Sequence, residues 1–124
     1  MIHEEICTYE VCKLAKEKGF REKCIVHYYD DTMDWSRSSN PQCFNFGGNT
    51  SDASTQSLLQ RWLRKEKGYY VYPFYDNNEF KWTYSIREKT GDMWLLLVGE
   101  TPNFDLFEEA MEAGLKYALK NLVI

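Results

Sequence analysis

Long hydrophobic runs are missing from this chain. The longest, MWLLLV at 93–98, spans six residues. A helix that crosses a bilayer needs about twenty, so no transmembrane helix is expected. The opening stretch, MIHEEIC, is polar and acidic and carries no secretory leader pattern. The expected location is the cytoplasm, where cysteines stay as free thiols more often than they pair. Long blocks of one charge sign are absent too. Fifteen Lys and Arg against nineteen Asp and Glu give a net charge of −4, and the pI is near 5.2. That balance argues against a general nucleic-acid binder. The sign does vary locally. Residues 55–68 hold Arg61, Arg64, Lys65 and Lys67 against Glu66, a local +3, and residues 30–54 hold Asp30, Asp31, Asp34 and Asp52 against Arg37, a local −3.

Catalytic and metal signatures are also lacking. No EF-hand loop, Gly-rich phosphate loop or Ser-His-Asp pattern is present. Cys7, Cys12, Cys24 and His27, with His3, lack the paired knuckle spacing of a zinc site. Cys24 and His27 stand three apart on an expected strand, where such positions face opposite ways. These cysteines read as small buried hydrophobes. No metal or cofactor is expected.

What is abundant is aromatic surface, at 16% of the chain. At 124 residues the chain fits one domain, 1–124, with an ordinary core. A helix is expected at 8–18, between a Thr8 cap and a Gly19 stop, then a strand at 23–30. Segment 30–54 is rich in Ser, Asn, Asp and Gly and reads as a loop with a short strand at 42–46. Ser54 or Thr55 caps a second helix that ends at Gly68. Strands at 69–75, 79–88 and 93–100 follow with short turns, which favours an antiparallel meander. Pro73 places the first of them at an edge or a bulge. The last has no polar alternation and should be covered on both faces or packed near the helices. Asp105, with Glu108 in capping-box spacing, opens a final helix that runs to about 122.

Within FKWTYSIRE at 80–88, Phe80, Trp82, Tyr84 and Ile86 alternate with Lys81, Thr83, Ser85 and Arg87. Three amphipathic helices need an apolar floor, and the first set supplies it. The second set is left for solvent or a partner. The expected fold is α+β: a two-layer sandwich with an antiparallel sheet of about four or five strands and three helices packed mainly on one face.

The phrases TYEVCKLAKEKGF, TQSLLQRWLRKEKGYYV, WTY and FEEAMEAGLKYAL resemble a group of small bacterial proteins from phage-like or mobile-element regions. The resemblance covers both ends and the middle, but not 30–54. It implies a small cytoplasmic fold and an accessory setting, and it carries no catalytic residues.

The functional reading is a non-enzymatic interaction protein. Trp35, Phe44 and Phe46, framed by Asp30, Asp31 and Asp34, would bind a protein partner through loop 30–54. Aromatic anchors supply affinity and charges supply steering. The alternative is an enzyme with Cys24 or Cys43 as nucleophile, or with Asp30, Asp31 and Asp34 on a metal.

Overall fold

The computed structural model describes residues 5–29, 35–42, 50–52, 54–98 and 102–124. Helix α1, Tyr9–Glu17, starts where Thr8 accepts a hydrogen bond from the Val11 N–H at 3.4 Å. It ends in a Schellman turn. The Phe20 N–H reaches the Ala15 carbonyl and the Gly19 N–H that of Lys16, with Gly19 at φ +96°. That turn drops Phe20 into the core.

Strand β1, Cys24–Tyr29, has a neighbour on each side. These are β2, Trp35–Gln42, and β3, Thr50–Asp52, both antiparallel to it. The segment expected as a loop is therefore largely sheet where it is described. A strand not expected from the sequence covers Trp35–Gln42, and of the short strand expected at 42–46, residues 43–46 lie outside the described residues. The text WSRSSNPQ has little strand propensity of its own. Pairing of Trp35 with Tyr28 and Arg37 with Val26 overrides it.

Helix α2, Gln56–Trp62, is capped by Thr55, which accepts from the Leu58 N–H at 3.2 Å. It runs on as a π-helical turn, Leu63–Lys67, and stops at Gly68 in the left-handed region. The meander follows as β4, Tyr69–Asp76, β5, Lys81–Thr90, and β6, Met93–Val98, in the order β4-β5-β6. Pro73 sits on an edge strand, as its missing donor requires. Helix α3, Phe107–Tyr117, continues as a π-helical turn, Ala118–Leu122.

The fold is α+β, but the described strands form two three-stranded antiparallel sheets. The expected single sheet of four or five strands does not form. Both edges of β1 are filled by β2 and β3, so β1 cannot join the meander.

One contiguous core joins the elements, from Val11, Cys12 and Ala15 of α1 through Val26 of β1 to Ile86 of β5 and Leu115 of α3. Tyr84 and Ile86 form the floor as expected, whereas Trp82 is only half-buried. Phe80 departs further. It is 75% exposed and adopts φ +55° in the turn before β5, so it contributes nothing to the floor. Asp105 does not cap α3 either. Its carboxylate is taken by Lys81 of β5, and Leu106 occupies the cap position without a side-chain bond.

Helix α3 lies closest to the meander at Gly114. A methyl group there would stand 2.7 Å from Val71 Cγ1 and 3.0 Å from Tyr84 Cγ. Alanine would favour the helix by about 1 kcal/mol, while overpacking a filled core costs about 1–3 kcal/mol. Gly114→Ala should therefore lower stability in denaturant melts. A rise would show that this contact yields freely.

Candidate functional site

The register of the meander decides which side chains share a face. Tyr70 is opposite Arg87, Tyr72 opposite Ser85 and Phe74 opposite Thr83, and beyond them Arg87 faces Leu96 and Lys89 faces Trp94. Paired residues project to the same side. Val71, Tyr84 and Ile86 belong to the other face, the one packed against α3. The meander thus has two aromatic faces.

On the face away from α3 the rings form a row. Tyr70 and Tyr72 have centroids 5.0 Å apart, Phe74 follows Tyr72 at 6.4 Å, and Trp94 meets Tyr70 edge-on at 6.1 Å. Phe74 is exposed, while Tyr70, Tyr72 and Trp94 are half-buried. Thr83 and Ser85 are buried, contrary to the solvent-facing role expected of them. Ser85 hydrogen-bonds with the Tyr72 side chain of β4, and Thr83 donates to the Pro102 carbonyl at 2.9 Å.

Two guanidinium groups sit on the row. Arg64, from the π-helical turn, lies 5.7 Å from the Tyr70 ring centre. Arg87 lies 6.0 Å from that of Tyr72, donates to its hydroxyl at 2.9 Å and reaches the Trp94 carbonyl at 3.5 Å. Burial pushes the Tyr72 phenol up, but hydrogen bonds with Ser85 and Arg87 and the Arg87 charge outweigh it, and the phenol lies below its ordinary value. Tyr84, on the packed face, is pushed up, by burial first and then by Tyr117. Among the described residues, neither Arg64 nor Arg87 forms a salt bridge.

Strand β6 borders this face. It was expected to be covered, yet it is an end strand of its sheet, and Met93, Leu95, Leu96 and Leu97 are 63%, 47%, 56% and 41% exposed. Covering what remains exposed of each is worth about 1 kcal/mol. Composition alone could not reveal the exposure, because a buried strand and an uncovered edge read alike.

The residues singled out from the sequence fall elsewhere. Asp30, Asp31, Asp34, Phe44 and Phe46 lie outside the described residues. Trp35 opens β2 opposite Tyr28, and its side chain also lies outside the description. Cys7, Cys12 and Cys24 are buried free thiols. A hydrogen bond with Cys12, then burial, holds the Cys7 thiol well above its ordinary value, which makes it a poor nucleophile. Burial pushes the nearby Tyr28 phenol up to about 12, and its hydroxyl donates to the Cys7 carbonyl at 2.9 Å. Cys43 lies outside the described residues. Among those described, no three His, Cys, Asp or Glu side chains converge on a metal position.

A groove of about 450 Å³ runs between the starts of α1 and α2 and the side of α3, and five glutamates line it. Two of these glutamates, Glu112 and Glu10, are engaged within the fold. Glu112 accepts from the Thr8 N–H at 2.6 Å and from the Gln56 amide at 3.0 Å, and Lys116 pairs with Glu10 at 2.9 Å.

No family model, curated protein or solved structure matches the chain. The site is therefore read from its own geometry.

Arg87 accounts for much of the Tyr72 shift. In a titration followed by NMR, Tyr72 should ionise below Tyr84. Arg87→Met should move Tyr72 upward and leave Tyr84 unchanged. An unmoved Tyr72 would remove Arg87 as the cause.

Proposed function

We propose that the protein is a small non-enzymatic interaction protein that binds a protein partner by strand addition along β6. One observation carries this reading: a strand composed for burial stands at a sheet edge with its leucines exposed. An open edge offers a row of backbone donors and acceptors to another chain. The two edges of the meander differ in this respect. On β4, Pro73 removes a donor. Met93–Val98 contains no proline and no charge. Edges that must stay unpaired usually carry one or the other.

Burial of the Cys24 thiol weighs against one of the two nucleophiles of the enzyme alternative, and the other, Cys43, lies outside the described residues. The resemblance to proteins of phage-like and mobile-element regions fits an accessory role in the cytoplasm. Segment 30–54, first read as the contact, supplies β2 and β3 to the fold. Its aromatics Trp35, Phe44 and Phe46 are left as a secondary contact.

Leu96→Lys tests the reading. It places a charge on the exposed edge and removes nothing from the core. Affinity capture from the native cell, with mass spectrometry, identifies the partner. Loss of an interface anchor costs about 2 kcal/mol or more, so capture of that partner should fall about thirtyfold or more while the melting temperature stays within a few degrees. Unchanged capture with a lowered melting temperature would make β6 a structural strand and overturn the proposal.

A further inference from the structure

The aromatic face beside β6 has a chemistry that strand addition does not use. Adding a strand occupies the edge of a sheet, whereas the Tyr70, Tyr72 and Phe74 rings stand on its surface. Their spacing follows the two-residue repeat of β4, so the rings make a linear track. Cations lie along one end of that track. Arg64 and Arg87 are seated on the rings. Lys89 follows Arg87 on the same face, opposite Trp94. Its N–H bonds the Gly68 carbonyl at 2.9 Å, which ties the end of β5 to the π-helical turn that carries Arg64 and Lys67. Glu88 alternates to the opposite face.

We infer that this face binds single-stranded nucleic acid, with bases stacked along Phe74, Tyr72 and Tyr70 and phosphates drawn to Arg64 and Arg87. Two requirements have to be met in one place. A sequence-tolerant single-strand site combines aromatic rings in series with cations that are not already neutralised. The row supplies the rings, with Phe74 exposed and Tyr72 and Tyr70 half-buried behind it. Arg64 and Arg87, without salt bridges among the described residues, meet the second. An acidic peptide would satisfy the guanidinium groups but leave the ring row without planar partners. A duplex hides its base faces inside the stack. The net charge of −4 had argued against general nucleic-acid binding, and it still sets the character of the site. Binding is local, confined to this face, and sensitive to salt.

The test uses the full chain and a fluorescein-labelled oligothymidylate, followed by fluorescence anisotropy. Binding should appear at low salt and weaken as salt is added. Phe74→Ala removes one exposed ring and should weaken binding roughly five- to a hundredfold, the range for one stacked base. Arg64→Ala removes one phosphate contact and should reduce the slope of log K against log salt by about 0.7. Neither residue is fully buried, and a thermal melt of each variant checks that the fold is kept. The duplex of the same sequence should bind more weakly, and polyglutamate should not compete. No binding at low salt would overturn the inference. So would competition by polyglutamate, which would make the face a site for acidic polypeptide. Binding unchanged in both folded variants would overturn it as well. Neither variant alters β6, so failure here leaves strand addition standing, and failure of Leu96→Lys to affect capture leaves this inference standing.

Discussion

The approach of α3 to the meander at Gly114 governs the rest of the molecule. The two residues that a methyl group there would strike belong to different strands, Val71 to β4 and Tyr84 to β5. The helix is therefore fitted to a two-strand surface. Contact this close is possible because glycine adds no side chain, and it seals Leu115 and Leu119 from water. A few residues earlier, Glu112 ties the starts of α1 and α2 to the same helix. Through these two positions α3 fixes which face of the meander is core and which remains open.

The open face and the β6 edge follow from that choice. With α3 on one side, β4 still carries large rings on the other, because Tyr70, Tyr72 and Phe74 alternate with Val71, Pro73 and Tyr75. Ser85 of β5 hydrogen-bonds with Tyr72, and Arg64 and Arg87 sit on these rings. The arrangement is ordered: Arg87 contacts both Tyr72 and the Trp94 carbonyl, so it links all three strands. Surface aromatics pinned in this way lose less conformational freedom on binding a ligand than free ones would.

Local chemistry was legible in the sequence. Thr8 and Thr55 cap helices, Gly19 and Gly68 end them, and Pro73 marks an edge strand. Each depends on neighbours within a few residues. Features that depend on distant partners were not legible. Asp105 has the right spacing for a cap, but Lys81, remote in sequence, takes its carboxylate. WSRSSNPQ lacks strand character and becomes a strand because β1 offers an edge. The polar alternation of β5 suggested a solvated face; Lys81 and Lys89 are exposed on it, but Thr83 and Ser85 are buried, Thr83 bonded to the Pro102 carbonyl and Ser85 set opposite Tyr72. A sheet face is a composite of several strands, so one strand read alone gives only part of it. The same limit hid the site. MWLLLV reads as a buried strand, and only the strand order shows that β6 has a neighbour on one side alone among the described strands.

The account rests on β6 being an uncovered edge in the free protein, and amide hydrogen exchange measures that directly. In an edge strand, alternate N–H groups point away from the sheet and lack a ladder partner. Within Met93–Val98, alternate amides should exchange quickly, while those of Thr83–Ile86 in the central strand exchange far more slowly. Uniform protection across β6, equal to that of β5, would show the edge to be covered within the chain itself and would contradict the account.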